Sequence, residues 1–304
     1  MSPSPKGTFR SLGNRNFRLW IGSNLFSNVG TWMQGTAQSW LVLSELTQHS
    51  ASAVGIVTAL QFAPQILLVA VTGSVADHFD RRKLLIVIQC TMGLLATLLG
   101  IGVISGLVQL WHVYIFAFLL GCTMAFDSPA RHSFVSELVG DRDIGNAVAL
   151  NGTAFQLGRM VGPASAGLLI ALVGTGWVFV INGLSYILVI AGLLAVRVKD
   201  LHRHEEGPVK KRLLDGFRYV RRRPDIWTVF LMLFFMGSLG MNFGIFIGVM
   251  SVAVFHEGAS EFGVLVSVMA VGSVAGALMV ARRERPLMGH LVGGTFLFFC
   301  FMTL

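Results

Sequence analysis

Nine long apolar stretches run through this 304-residue chain, and they constrain its fold more than any other feature. A helix needs about 20 residues to cross the roughly 30 Å hydrocarbon core of a membrane, and each stretch reaches or nearly reaches that length. The stretches cover roughly residues 17–43, 53–76, 84–106, 108–126, 144–173, 176–196, 226–255, 262–281 and 287–304. They predict an all-α protein that crosses a membrane about nine times.

The composition argues against several classes of function. The chain is 54% hydrophobic and only 12% charged, whereas soluble domains have about 25% charged residues. A soluble enzyme, a nucleic-acid-binding protein and a disordered chain are therefore disfavoured. The sequence has no P-loop, HExxH, GxSxG or CxxC motif, so we expect no enzyme activity, no cofactor and no metal site. Three cysteines, Cys90, Cys122 and Cys300, lie inside apolar stretches and are interpreted as buried thiols.

Basic residues are distributed asymmetrically between the gaps that separate the stretches. The amino terminus and the gaps at 77–83, 127–143, 197–225 and 282–286 contain 22 of the 23 Lys and Arg residues, and the alternate gaps contain none. Cytoplasmic loops of membrane proteins are enriched in Lys and Arg, so this alternation predicts a cytoplasmic amino terminus in a bacterial-type inner membrane. The remaining basic residue, Arg159, lies within the fifth stretch. The net charge of +8 thus indicates topology, and we expect contacts with membrane lipids rather than with nucleic acid.

The most basic gap follows six stretches and marks the expected boundary between two halves. We divide the chain into a six-helix transmembrane bundle at 1–196, a cytoplasmic linker at 197–225 and a partial second bundle at 226–304. Apolar residues at three- to four-residue spacing within the linker predict a short helix lying on the anionic inner leaflet, formed by Leu213, Leu214, Phe217 and Val220. The alternative is a solvated, charged linker.

A motif of glycine and charged residues lies in the gap after the second stretch. The sequence here resembles the major facilitator superfamily, whose signature at this point is G-x-x-x-D-R-x-G-R-[RK]; the matching residues are Gly73, Asp77, Arg81 and Arg82. Two positions depart from the signature, because His78 stands in place of an Arg and Asp80 in place of a Gly. The second departure adds a negative charge beside the motif.

The fifth stretch has a second motif of the same superfamily. Residues 158–167 match G-x-x-x-G-P-x-x-x-G, which antiporter-type exporters of the superfamily have in their fifth helix; the matching residues are Gly158, Gly162, Pro163 and Gly167. Gly158 and Gly162 share one helix face and allow a neighbouring helix to approach closely, and Pro163 permits a bend. The alternative is generic glycine-mediated packing between membrane helices.

Two further segments narrow the resemblance to one branch. Residues 125–131 (AFDSPAR) and 214–221 (LDGFRYVR) are similar to the branch that contains the enterobactin exporter and the macrolide efflux proteins. Together the matches span the whole chain. They imply the major facilitator fold, in which two six-helix bundles provide twelve helices. Nine stretches are three fewer than this, so we expect a chain that is truncated at its carboxyl end.

The resemblance also implies a role for charged residues near the cytoplasmic ends of the helices. In the family, the Asp and Arg after the second helix form an ion network with an acidic residue that ends the fourth helix. The corresponding residues are Asp77, Arg81 and Asp127, with Arg82 and Arg131 beside them. Such a network would lock the outward-open state and break as the two halves rock. The alternative is a set of exposed interface charges, worth about 0–1 kcal/mol per pair.

Arg159 is the most informative single residue. The fifth stretch begins near Ile144, so Arg159 lies about 22 Å along it at 1.5 Å per residue. A charge at that depth costs at least about 2.5–3.5 kcal/mol on insertion scales, so it should face the protein interior or water. We interpret Arg159 as a substrate contact or as part of a conformational ion pair. The alternative is a structural arginine that is hydrogen-bonded to carbonyls of neighbouring helices.

Polar residues form a line along the first stretch. Asn24, Asn28, Thr31 and Gln38 recur at helical spacing on one face, and Gln61 of the second stretch is similar. Such lines either face an aqueous cavity or hydrogen-bond neighbouring helices. These five residues and Arg159 are the cavity candidates.

These observations predict a secondary active transporter that exports an amphipathic small molecule, such as a siderophore or a drug, by alternating access. The resemblance implies proton antiport, although no carboxylate lies at mid-depth in the nine stretches. We expect a monomer. The alternatives are a facilitator or lipid-head-group transporter of the same fold and a non-transporting truncated fragment. A membrane-embedded enzyme would require an intramembrane catalytic cluster, and the sequence contains none.

Overall fold

The computed structural model describes residues 9–140, 143–202 and 223–235, together with positions 221, 237, 249–251, 261, 263–265 and 268. Every regular element in these residues is helical. The α-helices are α1 (Arg15–Trp40), α2 (Ala51–Leu67), α3 (Val69–His78), α4 (Arg81–Ile104), α5 (Leu110–Val139), α6 (Ile144–Val173), α7 (Thr175–Ala195) and α8 (Pro224–Phe235).

Helices α1 to α7 correspond to the first six predicted stretches. Within the described ranges, α4, α5, α6 and α7 are long and apolar enough to cross a membrane, and α2 is a shorter apolar helix. α1 has 26 residues and contains the predicted polar line. α8 begins the seventh predicted stretch, whereas the ninth stretch and the linker helix predicted at 213–220 lie outside the described residues.

The second predicted stretch forms two helices rather than one. α2 ends at Leu67 and α3 begins at Val69, with Leu68 (φ −93°, ψ −1°) at the bend between them. The bend follows Pro64 by one helical turn, and proline removes a backbone donor and distorts the helix around it. The Leu68 N–H still donates to the Pro64 carbonyl at 2.8 Å, so α2 and α3 remain connected as a bent rod.

The predicted loop at 127–143 is wrong for most of its length, because α5 continues to Val139. The added turns have a buried apolar side, formed by Ala130, Phe134, Val135 and Leu138. Three charged residues of this helix, Asp127, Arg131 and Glu137, form ion pairs and are largely buried. The helix ends at Gly140, whose φ of +71° lies in the left-handed region that favours glycine.

The helix ends that the basic-residue pattern assigns to one side lie together. At the start of α1, the Asn14 side chain donates to the Leu138 carbonyl near the end of α5 at 2.7 Å. Asn16 exchanges two hydrogen bonds with the backbone of Arg197, just after α7, each 3.0 Å long. The start of α1 and the ends of α5 and α7 therefore share one end of the bundle, here called the cytoplasmic end after the predicted orientation.

α4 and α7 pack through pairs of glycines. A Cβ added to Gly100 would lie 2.8 Å from the carbonyl oxygen of Gly176, and a Cβ added to Gly183 would lie 3.1 Å from that of Gly93. Distances this short show that the two backbones are nearly in contact, as small residues permit in membrane helices. No predicted motif included these residues, although their seven-residue spacing within each helix is a sequence signal.

Large apolar side chains cover the outer faces of the bundle. Ile66, Leu67 and Leu172 are 75%, 75% and 70% exposed. Exposure on this scale is unfavourable in water and favourable in hydrocarbon, as expected of an integral membrane protein. Cys90 is also exposed and Cys122 is half-buried, so the prediction that both are buried thiols is wrong. Both lie on helices that are long and apolar enough to cross a membrane.

Candidate functional site

An ion pair links α4 to α5 at the cytoplasmic end. Arg81, the first residue of α4, lies 2.5 Å from Glu137 (Nη1 to Oε1), and the two side chains are 15% and 8% exposed. Glu137 also accepts the His202 N–H at its backbone carbonyl, at 2.8 Å. Glu137 was not among the predicted site residues, because the fourth helix was expected to end near Asp127. The apolar residues around it, at helical spacing, are the signal that could have identified it.

Arg82 binds the carboxyl end of α7. Its Nε donates to the Leu193 carbonyl at 2.6 Å and its Nη2 to the Leu194 carbonyl at 2.9 Å. The last carbonyls of a helix have no partner within the helix and carry partial negative charge, so a guanidinium is a favourable cap there. Arg82 therefore joins α4 to α7 beside the Arg81–Glu137 pair.

A second ion pair lies deeper, between Asp127 and Arg131 of α5. The Arg131 guanidinium is 2.8 Å from the Asp127 carboxylate, and the side chains are 16% and 14% exposed. Asp127 accepts a hydrogen bond from Gln89 Nε2 of α4 at 2.9 Å. Arg131 donates to the side-chain oxygen of Asn24 on α1 and lies 5.3 Å from the Trp20 ring centroid. A buried ion pair needs such additional partners to offset its desolvation.

Four of the five predicted gate residues thus fall into two separate groups. Arg81 and Arg82 bind Glu137 and the end of α7, whereas Asp127 and Arg131 form the deeper cluster with Asn24 and Gln89. Asp77 is the second-to-last residue of α3, and its side chain lies outside what the structure describes. The gate role of these residues remains a prediction.

The motif of α6 packs against two other segments. A Cβ added to Gly158 would lie 2.8 Å from the Asn28 carbonyl carbon, and one added to Gly162 would lie 2.6 Å from the Trp32 Cβ. These two glycines therefore bring α6 into contact with α1. In the eighth predicted stretch, a Cβ added to Gly263 would lie 2.6 Å from the Pro163 carbonyl oxygen and 3.0 Å from the Gly167 Cα. The motif thus contacts both predicted halves of the chain.

Arg159 follows the first motif glycine and is half-buried. Its guanidinium carbon lies 5.8 Å from the Trp32 ring centroid, within the range of a cation–π interaction. The Trp32 ring also makes an edge-to-face contact with Phe155, at 5.5 Å between centroids. Among the residues that the structure describes, Arg159 makes neither an ion pair nor a hydrogen bond to a neighbouring carbonyl. Within the described residues the Arg159 guanidinium, at about the middle of α6, therefore contacts an aromatic ring and no acceptor oxygen.

Residues of the polar line on α1 contact more than one neighbouring helix. Asn24 is buried and donates to the Asn151 side chain of α6 at 3.1 Å, whereas Asn28 is half-buried beside Gly158. Thr31 lies 3.4 Å from the Tyr186 hydroxyl of α7. Gln38 is 4% exposed. Asn24 and Thr31 therefore connect helices, as one of the two alternatives for this line required.

Two further polar contacts lie near this line. The Gln61 amide of α2 is 3.7 Å from the Met124 sulfur of α5. Asn182 of α7, which is fully buried, donates to Gln34 at 2.6 Å. Asn182 was missed because a single amide in an apolar stretch has no periodic pattern. In the described part of the chain, no three His, Cys, Asp or Glu residues form a group that could hold a metal ion.

The sequence matches the major facilitator family described as transmembrane secretion effector, over residues 6–304. It is 22% identical over 266 residues to the staphyloferrin A transporter of Staphylococcus aureus (strain NCTC 8325 / PS 47), and the alignment covers 87% of this chain and 66% of the relative. It is 24% identical over 260 residues to the enterobactin exporter EntS of Citrobacter koseri (strain ATCC BAA-895 / CDC 4225-83 / SGSC4696), with coverages of 83% and 62%. The chain thus spans less than two thirds of the length of these relatives.

The fold is similar to that of a solved transporter. A crystal structure of a bacterial homolog of the human lysosomal transporter Spinster, in an inward-facing and unoccupied conformation, matches with a TM-score of 0.67 at 17% sequence identity. The match covers 88% of this chain and 63% of that structure. This likeness confirms the predicted major facilitator fold.

Proposed function

The chain belongs to the transmembrane secretion effector family of major facilitator proteins, and from that premise we propose that it is a secondary active transporter that exports an amphipathic small molecule by alternating access. Siderophores are the first substrate class to examine, because the relatives include a staphyloferrin A transporter and an enterobactin exporter. Drugs are the second. We place the protein in the inner membrane of a bacterium, with its amino terminus in the cytoplasm and protons as the coupling ion.

The contact between Arg159 and Trp32 is the observation that best supports a substrate site. An arginine inside the membrane is costly and is retained where it has a function or a partner. Arg159 has an aromatic neighbour and no acidic partner within the described residues. A guanidinium beside an indole suits a ligand with an anionic group and an aromatic or apolar body. Our proposal is that such a ligand contacts Arg159 and Trp32 from the space between the two halves.

The proposed mechanism assigns the two halves to residues 1–196 and 226–304, joined by the linker at 197–225. The close contact of Gly263 with Pro163 and Gly167 supports a role for α6 in the interface at which the two halves move relative to each other. The Arg81–Glu137 and Asp127–Arg131 pairs support a charged layer at the cytoplasmic end that would act as the gate, together with Asp77. The side chains of both ion pairs are largely buried, so breaking a pair costs free energy, as expected of a gate.

Efflux from whole cells tests this proposal. Cells that produce the chain are loaded with enterobactin or with a macrolide, and release is followed with and without a protonophore. We expect release to depend on the chain and to stop with the protonophore. Arg159→Gln should slow export by about tenfold or more, because a hydrogen bond to a charged group contributes about 1.5–3 kcal/mol and about 1.4 kcal/mol is a factor of ten. Lys199→Gln, which removes an exposed charge just after α7, is the matched control and should export normally.

Three outcomes would contradict parts of the proposal. Release that continues unchanged in the presence of the protonophore would exclude proton antiport and favour a facilitator of the same fold. Release of lipid head groups in place of both test compounds would favour a lipid-head-group transporter of the same fold. Normal export by Arg159→Gln would remove Arg159 from the substrate site.

A further inference from the structure

A groove follows the seam between α1 and α7 on the outer surface of the bundle. Its volume is about 430 Å³, and its lining combines small residues of both helices with the larger apolar side chains of Leu19, Phe26 and Leu188. α1 and α7 touch beneath it, since a Cβ added to Gly192 would lie 2.6 Å from the Ser23 hydroxyl oxygen. Gly22, in contrast, faces open space, and a Cβ added there would meet nothing within 4 Å. The groove can therefore hold an apolar chain.

Two arginines lie at the cytoplasmic end of this groove. Arg18 lines it and is exposed, and its Nη1 makes a long hydrogen bond of 3.4 Å to the Leu12 carbonyl. Arg15 donates from Nη1 to the carbonyl of Ala195, which also lines the groove, at 3.3 Å. A guanidinium has five N–H donors, so each arginine retains donors for a ligand. None of the described residues that line the groove is acidic.

The length of the groove fits one leaflet of the membrane. Arg18, Gly22 and Phe26 follow one another at four-residue intervals on α1, so the groove extends about 12 Å from the arginines at 1.5 Å per residue. One half of a hydrocarbon core about 30 Å thick measures about 15 Å. In the predicted orientation, the two arginines thus lie at the level of the lipid head groups, and the apolar part of the groove lies at the level of the acyl chains. A glycerophospholipid has the complementary arrangement of an anionic phosphate above an acyl chain.

We propose that the groove between α1 and α7 binds an anionic phospholipid of the inner leaflet. Its phosphate contacts Arg18 and Arg15, and one acyl chain lies over Gly22 between Phe26 and Leu188. Basic pockets between membrane helices on the cytoplasmic side are suited to anionic head groups. The absence of a carboxylate from the described lining favours a net anionic lipid over a zwitterionic one. Among the described helices this site lies on the surface, and it does not depend on the proposed transport function.

Lipid retention tests the site. The 304-residue chain is purified from bacterial membranes in mild detergent, and the phosphatidylglycerol retained per protein is measured by mass spectrometry. Arg18→Gln should reduce retention about fivefold, as expected for one basic residue at a membrane surface. Gly22→Leu keeps both arginines but fills the groove, and it should also reduce the amount of phosphatidylglycerol retained. Lys199→Gln and Gly13→Ala, which change residues outside the groove, should retain phosphatidylglycerol normally.

Thermal unfolding provides the second measurement. Phosphatidylglycerol added to the delipidated protein should raise the melting temperature more than phosphatidylcholine does, and Arg18→Gln should abolish the difference. Equal effects of the two lipids, or unchanged retention in Arg18→Gln, would overturn the proposal. If Arg18→Gln retained less phosphatidylglycerol and Gly22→Leu retained the normal amount, the groove would not be the binding site. A lower melting temperature of Gly22→Leu in every lipid would show that protein covers the groove, and would also overturn the proposal.

Discussion

Arg81 and Glu137 are 56 residues apart in sequence and form a largely buried ion pair that joins the first residue of α4 to the last turn of α5. Arg81 belongs to the motif after the second predicted stretch, and Glu137 belongs to no motif that the sequence indicated. The backbone carbonyl of Glu137 also accepts a hydrogen bond from the His202 N–H, so Glu137 connects the end of α5 to the segment that follows α7. This pair is therefore a central contact of the cytoplasmic end.

Glu137→Gln should destabilise the protein. The change leaves the Arg81 guanidinium largely buried without its counter-ion, and removing one partner of a buried ion pair typically costs about 3–5 kcal/mol. We expect a marked fall in the apparent melting temperature in detergent. Asp200→Asn removes a carboxylate from an exposed position after α7 and should leave it unchanged. Equal melting temperatures for Glu137→Gln and the parent chain would show that the ion pair contributes little.

The Asp127–Arg131 pair should show strong energetic coupling. Asp127→Asn and Arg131→Met each leave a charge in a mostly buried place, whereas the double variant removes both charges. The double variant should therefore lose less stability than the sum of the single losses, with a coupling energy of about 2 kcal/mol. Unfolding of the four proteins under the same conditions measures the coupling. Strict additivity would contradict the contact.

Gly162→Ala should destabilise the contact between α1 and α6. The added Cβ would lie 2.6 Å from the Trp32 Cβ and 2.9 Å from the Val29 carbonyl oxygen, and the backbone cannot move away freely. Overpacking of this kind costs about 1–3 kcal/mol. Gly152→Ala is the matched control on the same helix, since its Cβ meets nothing within 4 Å. It should be neutral or slightly stabilising because alanine favours helix more than glycine does.

Cysteine labelling should confirm the orientation of the bundle. In a background without native cysteines, Gln48→Cys places a thiol in the exposed segment between α1 and α2, and Lys199→Cys places one after α7. A membrane-impermeant maleimide added to intact cells should label position 48 readily. Position 199 should react only after the membrane is permeabilised, because the predicted topology puts it in the cytoplasm. The reverse pattern would invert the topology.

Local patterns in the sequence were sufficient for much of the fold. Apolar length predicted the first six stretches, which form helices α1 to α7. Four of these helices are long and apolar enough to cross a membrane. Apolar length is a property of one segment alone, so it can be identified from sequence. The motif of α6 was also local, and Gly158 and Gly162 make the close helix contact that their spacing predicted. The family and the major facilitator fold followed from these short patterns.

The tertiary structure decided which side chains meet. The partner of Arg81, the extension of α5 and the hydrogen bond between Gln34 and Asn182, 148 residues apart, could not be inferred from periodicity. Periodicity indicates which residues share a helix face, whereas the facing helix and its register depend on how all the helices pack. Charges were the least predictable, because residues 127–139 are rich in polar and charged side chains, yet their ion pairs and buried apolar side stabilise a helix. The sequence by itself therefore determined the membrane spans and the family, and only packing determined the polar contacts between them.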